Sequence, residues 1–210
     1  MWSLIQAAGW PIWPLIAASV VALALIFERL WSLRQSIVAP EGMVDRVLVD
    51  FRQTGATPEL LTRTAAQGPL GRILAAGLAN VKAPRPVMKE AIEEVGRVVT
   101  HDLERSLTTL GTIAAMAPLM GLFGTVVGMI EIFGSQTAAG SNPIQLAHGI
   151  SIALYNTAFG IAISIPSLIF YRHFKNKVDG FVVQMEQAAS KLIDIVHGER
   201  EGYQTRSPQS

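Results

Sequence analysis

No cysteine occurs in the 210 residues, which excludes a disulfide framework and any thiol chemistry. Charge is also scarce. No Asp, Glu, Lys or Arg occurs from Met1 to Phe27, and between Ser106 and Tyr171 the one formal charge is Glu131. A water-soluble core of this length would interleave charges on its exposed faces, so lipid is the solvent these stretches call for. All 17 Lys and Arg fall in two blocks, Arg29 to Arg105 and Arg172 to Arg206. The same blocks carry nearly all the acids, which reads as a mixed solvated surface and not as a nucleic-acid patch. No HExxH, GxSxG or Walker pattern is present, and His101, His173 and His197 lack metal-ligand spacing. The reading is therefore a protein that is not an enzyme and carries no metal or cofactor.

What is present is three apolar runs. The first spans 11–31, with Trp10 and Trp13 at one end and Trp31 at the other. A helix from Trp10 to Trp31 rises about 32 Å, close to a hydrocarbon core of about 30 Å, with tryptophans at the headgroup level. Its basic residues Arg29 and Arg34 follow the apolar run, unlike those of a signal peptide, so a retained anchor is expected. The second span covers 107–133 and the third 149–171. Between them, 134–148 holds Gly140, Ser141, Asn142 and Pro143, an Asn-Pro helix-start signal, and ends at His148.

Lys and Arg placement orients the chain. The leader 1–10 and the 134–148 loop have none, so both are expected outside, that is periplasmic. The 32–106 segment and the 172–210 tail are expected in the cytoplasm. Prolines 40, 58, 69, 84 and 86 cut the first of these into short amphipathic pieces. Val44, Val47, Leu48 and Phe51 share one face. Val87, Ala91, Val95, Val98 and Leu103 suggest a longer helix running unbroken into the second span. In the tail, Val178, Phe181, Val182, Met185, Ala189, Leu192 and Val196 form another apolar stripe, and from Gly198 onward the composition is that of a disordered end. The fold class is an all-α integral membrane protein with long cytoplasmic helical extensions.

Two spans carry small-residue stripes. Ala114, Pro118, Gly121, Thr125 and Gly128 repeat at helical spacing, and so do Gly149, Ala153, Thr157, Gly160 and Ser164. With Gly124, such residues let helix backbones approach closely in lipid, so packing is the plain reading. The polar members add to it. Thr125 lies eight residues inside Phe133 and Thr157 eight residues inside Gly149, so antiparallel helices place both at one depth, roughly 12 Å below the outer boundary. Asn156 shares that depth. These groups can line a water-accessible path or receive a polar group from another helix. Pro118 and Pro166 each remove a helical donor, freeing the carbonyls of Ala114 and Ala162 and kinking their helices. Glu131 reads as an interfacial residue first and an outer-boundary proton entry second.

The strings A-P-L-M-G-L-F-G-T-V-V-G (117–128) and G-I-S-I-A-L-Y-N-T-A-F-G-I-A-I-S-I-P (149–166) resemble those of the ExbB/TolQ/MotA proton-channel family, with the closer likeness to ExbB of the TonB system. The resemblance implies a bacterial inner-membrane pentamer whose second and third spans line a pore around an ExbD-like single-span partner. That partner's membrane Asp would exchange protons near Thr125 and Thr157, with Asn156 and Ser164 also lining the path, to energise a TonB-like protein. In one respect this chain departs from the pattern: Ile152 stands where the family string has Glu. A TolQ-like role in envelope integrity stays open, as does a non-conducting membrane scaffold. A flagellar stator would have a fourth span.

Overall fold

The computed structural model describes residues 9–134 and 143–198, and within 143–148 the side chains of Ile144 and Ala147 alone. The start of the leader, the turn residues Gly140, Ser141 and Asn142, the His148 side chain and the tail beyond Gly198 lie outside the described residues. Every element among the described residues is helical: α1 (Ile12–Ser32), α2 (Gln35–Val38), α3 (Met43–Thr54), α4 (Pro58–Ala65), α5 (Pro69–Ala79), α6 (Arg85–Gly134) and α7 (Pro143–Val196). Three of them, α1, α6 and α7, are long and apolar enough to cross a membrane. The described residues group into two compact units: 9–29 with 106–134 and 143–174, and 30–105 with 175–198.

The first unit is a three-helix packing. Its α6 and α7 segments run antiparallel, Gly111 meeting Tyr171 at one end and Gly149 meeting Ile132 at the other. Both run continuously through Pro118 and Pro166, which membrane helices tolerate when the freed carbonyls find other donors. Helix α1 lies along one flank. Leu15, fully buried, packs with Ala117 and Ile163, and Ile113 and Met120 close around them. Trp10 meets Phe123 edge to face at 6.1 Å, and Arg29 Nη2 donates to Ser106 Oγ at 2.7 Å.

The second unit is built from the short helices. Thr57 caps α4 by accepting from the Leu60 N–H at 3.3 Å, and Pro58 follows at the first helical position, where its missing N–H costs nothing. Gly68 enters α5 at φ 109°, and a Cβ there would lie 2.5 Å from the Ile37 carbonyl oxygen, so the turn requires glycine. Helix α5 is the core of the unit, burying Leu70, Ile73, Leu74 and Leu78. Leu192 of α7 comes up against Gly77 of α5, and of the apolar stripe in α7 Val178, Phe181, Met185, Ala189 and Leu192 are buried while Val182 and Val196 are half-buried.

For α6 the expected face is corrected. Leu103 of the expected stripe is buried, but Val87 and Val98 are 46% and 48% exposed, whereas Met88, Ile92 and Val99 are buried. One residue of offset turns a helix by about 100°, so a stripe read one position early points at solvent. The true stripe continues through Leu107, Leu110 and Ala114, all buried. Helix α7 begins at Pro143, where the Asn-Pro signal places a helix start ahead of the third span.

Candidate functional site: a hydroxyl pair between two spans

Close backbone approach builds the site. A Cβ on Gly121 would lie 2.6 Å from the Asn156 carbonyl oxygen and 3.0 Å from Thr157 Cα. A Cβ on Gly160 would run into the carbonyl oxygen of Ala117, and one on Gly128 would meet Ala153 Cβ at 3.2 Å. The small-residue stripes of both spans thus face each other, and their lack of side chain brings α6 and α7 together.

That closeness places Thr125 and Thr157 in contact. Their Oγ1 atoms are 2.5 Å apart, and both residues are half-buried. Thr125 Oγ1 also lies 3.2 Å from the Gly121 carbonyl of its own helix and 3.2 Å from the Ala153 carbonyl of α7. Each hydroxyl has a single proton. One arrangement gives both protons an acceptor among these groups: Thr157 donates to Thr125, and Thr125 donates to a carbonyl. Thr157 Oγ1 then retains accepting capacity toward whatever enters beside it.

The pair sits on the flank away from α1. Thr125 is twelve residues from Ile113 on α6, and Thr157 is six from Ile163 on α7. At 100° per residue each is turned about 120° from the α1-facing line, and in an antiparallel pair both turn to the same side. Glu131 does not join them. It lies eighteen residues, five full turns, beyond Ile113, which puts it on the α1-facing line of α6, and it is exposed. Ile152 lies eleven residues before Ile163, on the corresponding line of α7. The one acid of the spans and the position lacking an acid thus share a flank, opposite the hydroxyl pair.

The other polar residues anchor the helices. Ser164 Oγ donates to the Ala114 carbonyl at 2.5 Å, which is the group Pro118 frees. A carbonyl freed on one helix is thereby satisfied by a hydroxyl on the other, a pairing not readable from either string alone. Asn156 is 1% exposed and lies against Gly124, where a Cβ would sit 2.9–3.0 Å from its Cβ, Cγ and Nδ2. Gly124 therefore makes the room that the Asn156 carboxamide fills, at the level of the threonines but inside the helix contact. Ser167, 1% exposed, bonds back to the Ile163 carbonyl at 2.8 Å. Pro166 lies exposed on α7. No cluster of His, Cys, Asp or Glu that could hold a metal occurs among the described residues. A close pair of hydroxyls in a span offers hydrogen-bonding partners without a titrating group.

Comparison with known proteins agrees in kind. A family model described as the MotA/TolQ/ExbB proton channel family matches residues 65–187. The biopolymer transport protein exbB1 of Vibrio cholerae is 31% identical, covering 78% of this chain and 74% of that protein. A putative biopolymer transport protein, ExbB-like 3, of Synechocystis is 32% identical over 78% of this chain and 79% of its own. The Tol-Pal system protein TolQ of Pseudomonas aeruginosa is 28% identical, covering 94% of this chain and 92% of that protein.

Proposed function

The chain belongs to the MotA/TolQ/ExbB proton channel family, and on that footing we propose that it is the channel-scaffold subunit of an ExbB–ExbD type motor. In this reading it sits in the bacterial inner membrane with its N-terminus periplasmic and its C-terminus and helical extensions cytoplasmic. It uses the proton motive force, with a TonB-like protein, to energise transport across the outer membrane. Five copies surround single-span partners, each carrying a membrane Asp.

The observation that carries the reading is the Thr125–Thr157 contact. A hydroxyl pair on an open flank, with acceptor capacity at Thr157, is complementary to a protonated carboxyl group of a partner helix. The spans' one carboxylate, Glu131, lies near a helix end and on the other flank, so a titrating group must come from another chain. Thr125 positions Thr157, Gly121, Gly124, Gly128 and Gly160 set the helix distance, and Ser164 holds the Pro118 kink. Glu131 serves at most as an outer-boundary entry for protons.

Disruption of the gene tests the role. Loss of energised uptake of an iron complex, with detergent resistance intact, is expected. A Tol-Pal-type role has one observation in its favour, the TolQ relative that aligns over 94% of this chain. Detergent sensitivity with uptake intact would establish it instead. Purification in mild detergent is expected to bring down a small single-span protein with a membrane Asp, and recovery of homo-oligomers alone would favour a scaffold without ion flux.

A further inference from the structure

In the second unit an open groove of about 650 Å³ runs between α6 and α7, floored by Ile92, Gly96, Met185 and Ala189. Gly96 lies in the interior of α6, where glycine weakens a helix relative to alanine. Among the described residues no atom lies within 4 Å of the place its Cβ would occupy, and none of them explains it. The glycines packed against neighbours, such as Gly77 beneath Ile92 and Leu192, are unlike it.

Val98 presents the opposite anomaly. It is a branched apolar side chain left 48% exposed in mid-helix. Positions i and i+2 of a helix point about 200° apart and differ by about 3 Å in rise. Gly96 and Val98 are therefore a hole and a knob on opposite flanks of α6 at nearly one level. In a ring of copies about an axis parallel to this stretch of α6, equivalent residues lie at one level. A hole and a knob level with each other on opposite flanks suit a head-to-tail contact between such copies. The charges fit as well. Glu94 stands one turn from Val98 and Arg97 stands at the groove's rim, both exposed. Neither appears in an ion pair among the described residues.

We propose that this groove is the contact between neighbouring copies of the chain, with Val98 of one copy seated over Gly96 of the next and Glu94 paired to Arg97 across the seam. The proposal rests on the homo-oligomer of the proposed function and names its surface outside the spans.

The absence of native cysteine makes the test direct. Gly96→Cys and Val98→Cys in one chain cannot bond to each other, because their Cβ vectors point apart. Oxidation in isolated membranes is expected to give the double variant a ladder of disulfide-linked multimers, and each single variant none. Native mass measurement of the unsubstituted protein separates the possible failures. An oligomer with no ladder overturns the groove contact and leaves the oligomer standing, and a monomer overturns both. Gly96→Leu has open space among the described residues of its own chain, so it is expected to fold and to reduce the oligomeric fraction at least tenfold. An undiminished oligomer in that variant overturns the proposal.

Discussion

At the scale of single residues, two hydroxyls and a few absent side chains make the site. Ser164→Ala would leave the Ala114 carbonyl, already without its helical donor, without its cross-helix donor too. It should destabilise the membrane unit by about 1 kcal/mol, read as a lower midpoint of unfolding in mixed micelles. Gly160→Val would drive a branched side chain into the Ala117 backbone and should cost more, about 1–3 kcal/mol, with lower yield of assembled protein. Wild-type yield and stability in that variant would contradict the close approach of α6 and α7. The pairing of depth between Thr125 and Thr157 is legible in the sequence, since counting inward from Phe133 and Gly149 is arithmetic on two antiparallel helices. What Ser164 and Asn156 do is not. Ser164 answers a defect in another helix, and Asn156 fills space that Gly124 leaves, so both depend on which residues meet across the contact. Counting depth also says nothing about azimuth without a third helix as reference, so the flank on which Glu131 lies is read only once α1 is in place.

At the scale of elements, α6 carries a line of buried residues. On α6 it runs from Met88 through Ile92, Val99 and Leu103 to Leu110. The stripe through Val87 and Val98 competes with it in the sequence because valine is apolar wherever it stands. Periodicity alone cannot rank two adjacent apolar lines, and packing against α5 decides between them. The short helices are easier to read, since Pro58 and Pro69 mark their first turns. Exposed ion pairs add little stability individually, but one has a measurable consequence. The Arg72 guanidinium, 2.8 Å from Asp102, donates a hydrogen bond that holds the Asp102 carboxyl below its usual range, aided by the nearby positive charges of Arg72, His101 and Arg105. A carboxylate with a depressed pKa contributes stability above its unfolded pKa, and that contribution is lost as pH falls through the folded value. Arg72→Ala should bring the Asp102 titration, followed by carboxyl carbon shifts, back up toward the ordinary value. An unchanged midpoint would refute the pairing.

At the scale of the whole molecule, three helices fit to cross a membrane and membership of a proton channel family make the chain a membrane protein of that family. Its charge distribution supports the proposed placement, with every basic residue except Arg29, at the inner end of the first span, in the segments assigned to the cytoplasm. The distinctive feature is a membrane unit with a hydroxyl pair and no deep carboxylate, which makes the proposed proton step depend on a partner. The most direct test is energised uptake of an iron complex in cells whose sole subunit of this class carries Thr157→Val or Thr157→Ser. The account predicts that both assemble, that the serine variant keeps uptake because its hydroxyl is retained, and that the valine variant loses it. Uptake by the valine variant equal to that of the unsubstituted protein would contradict it.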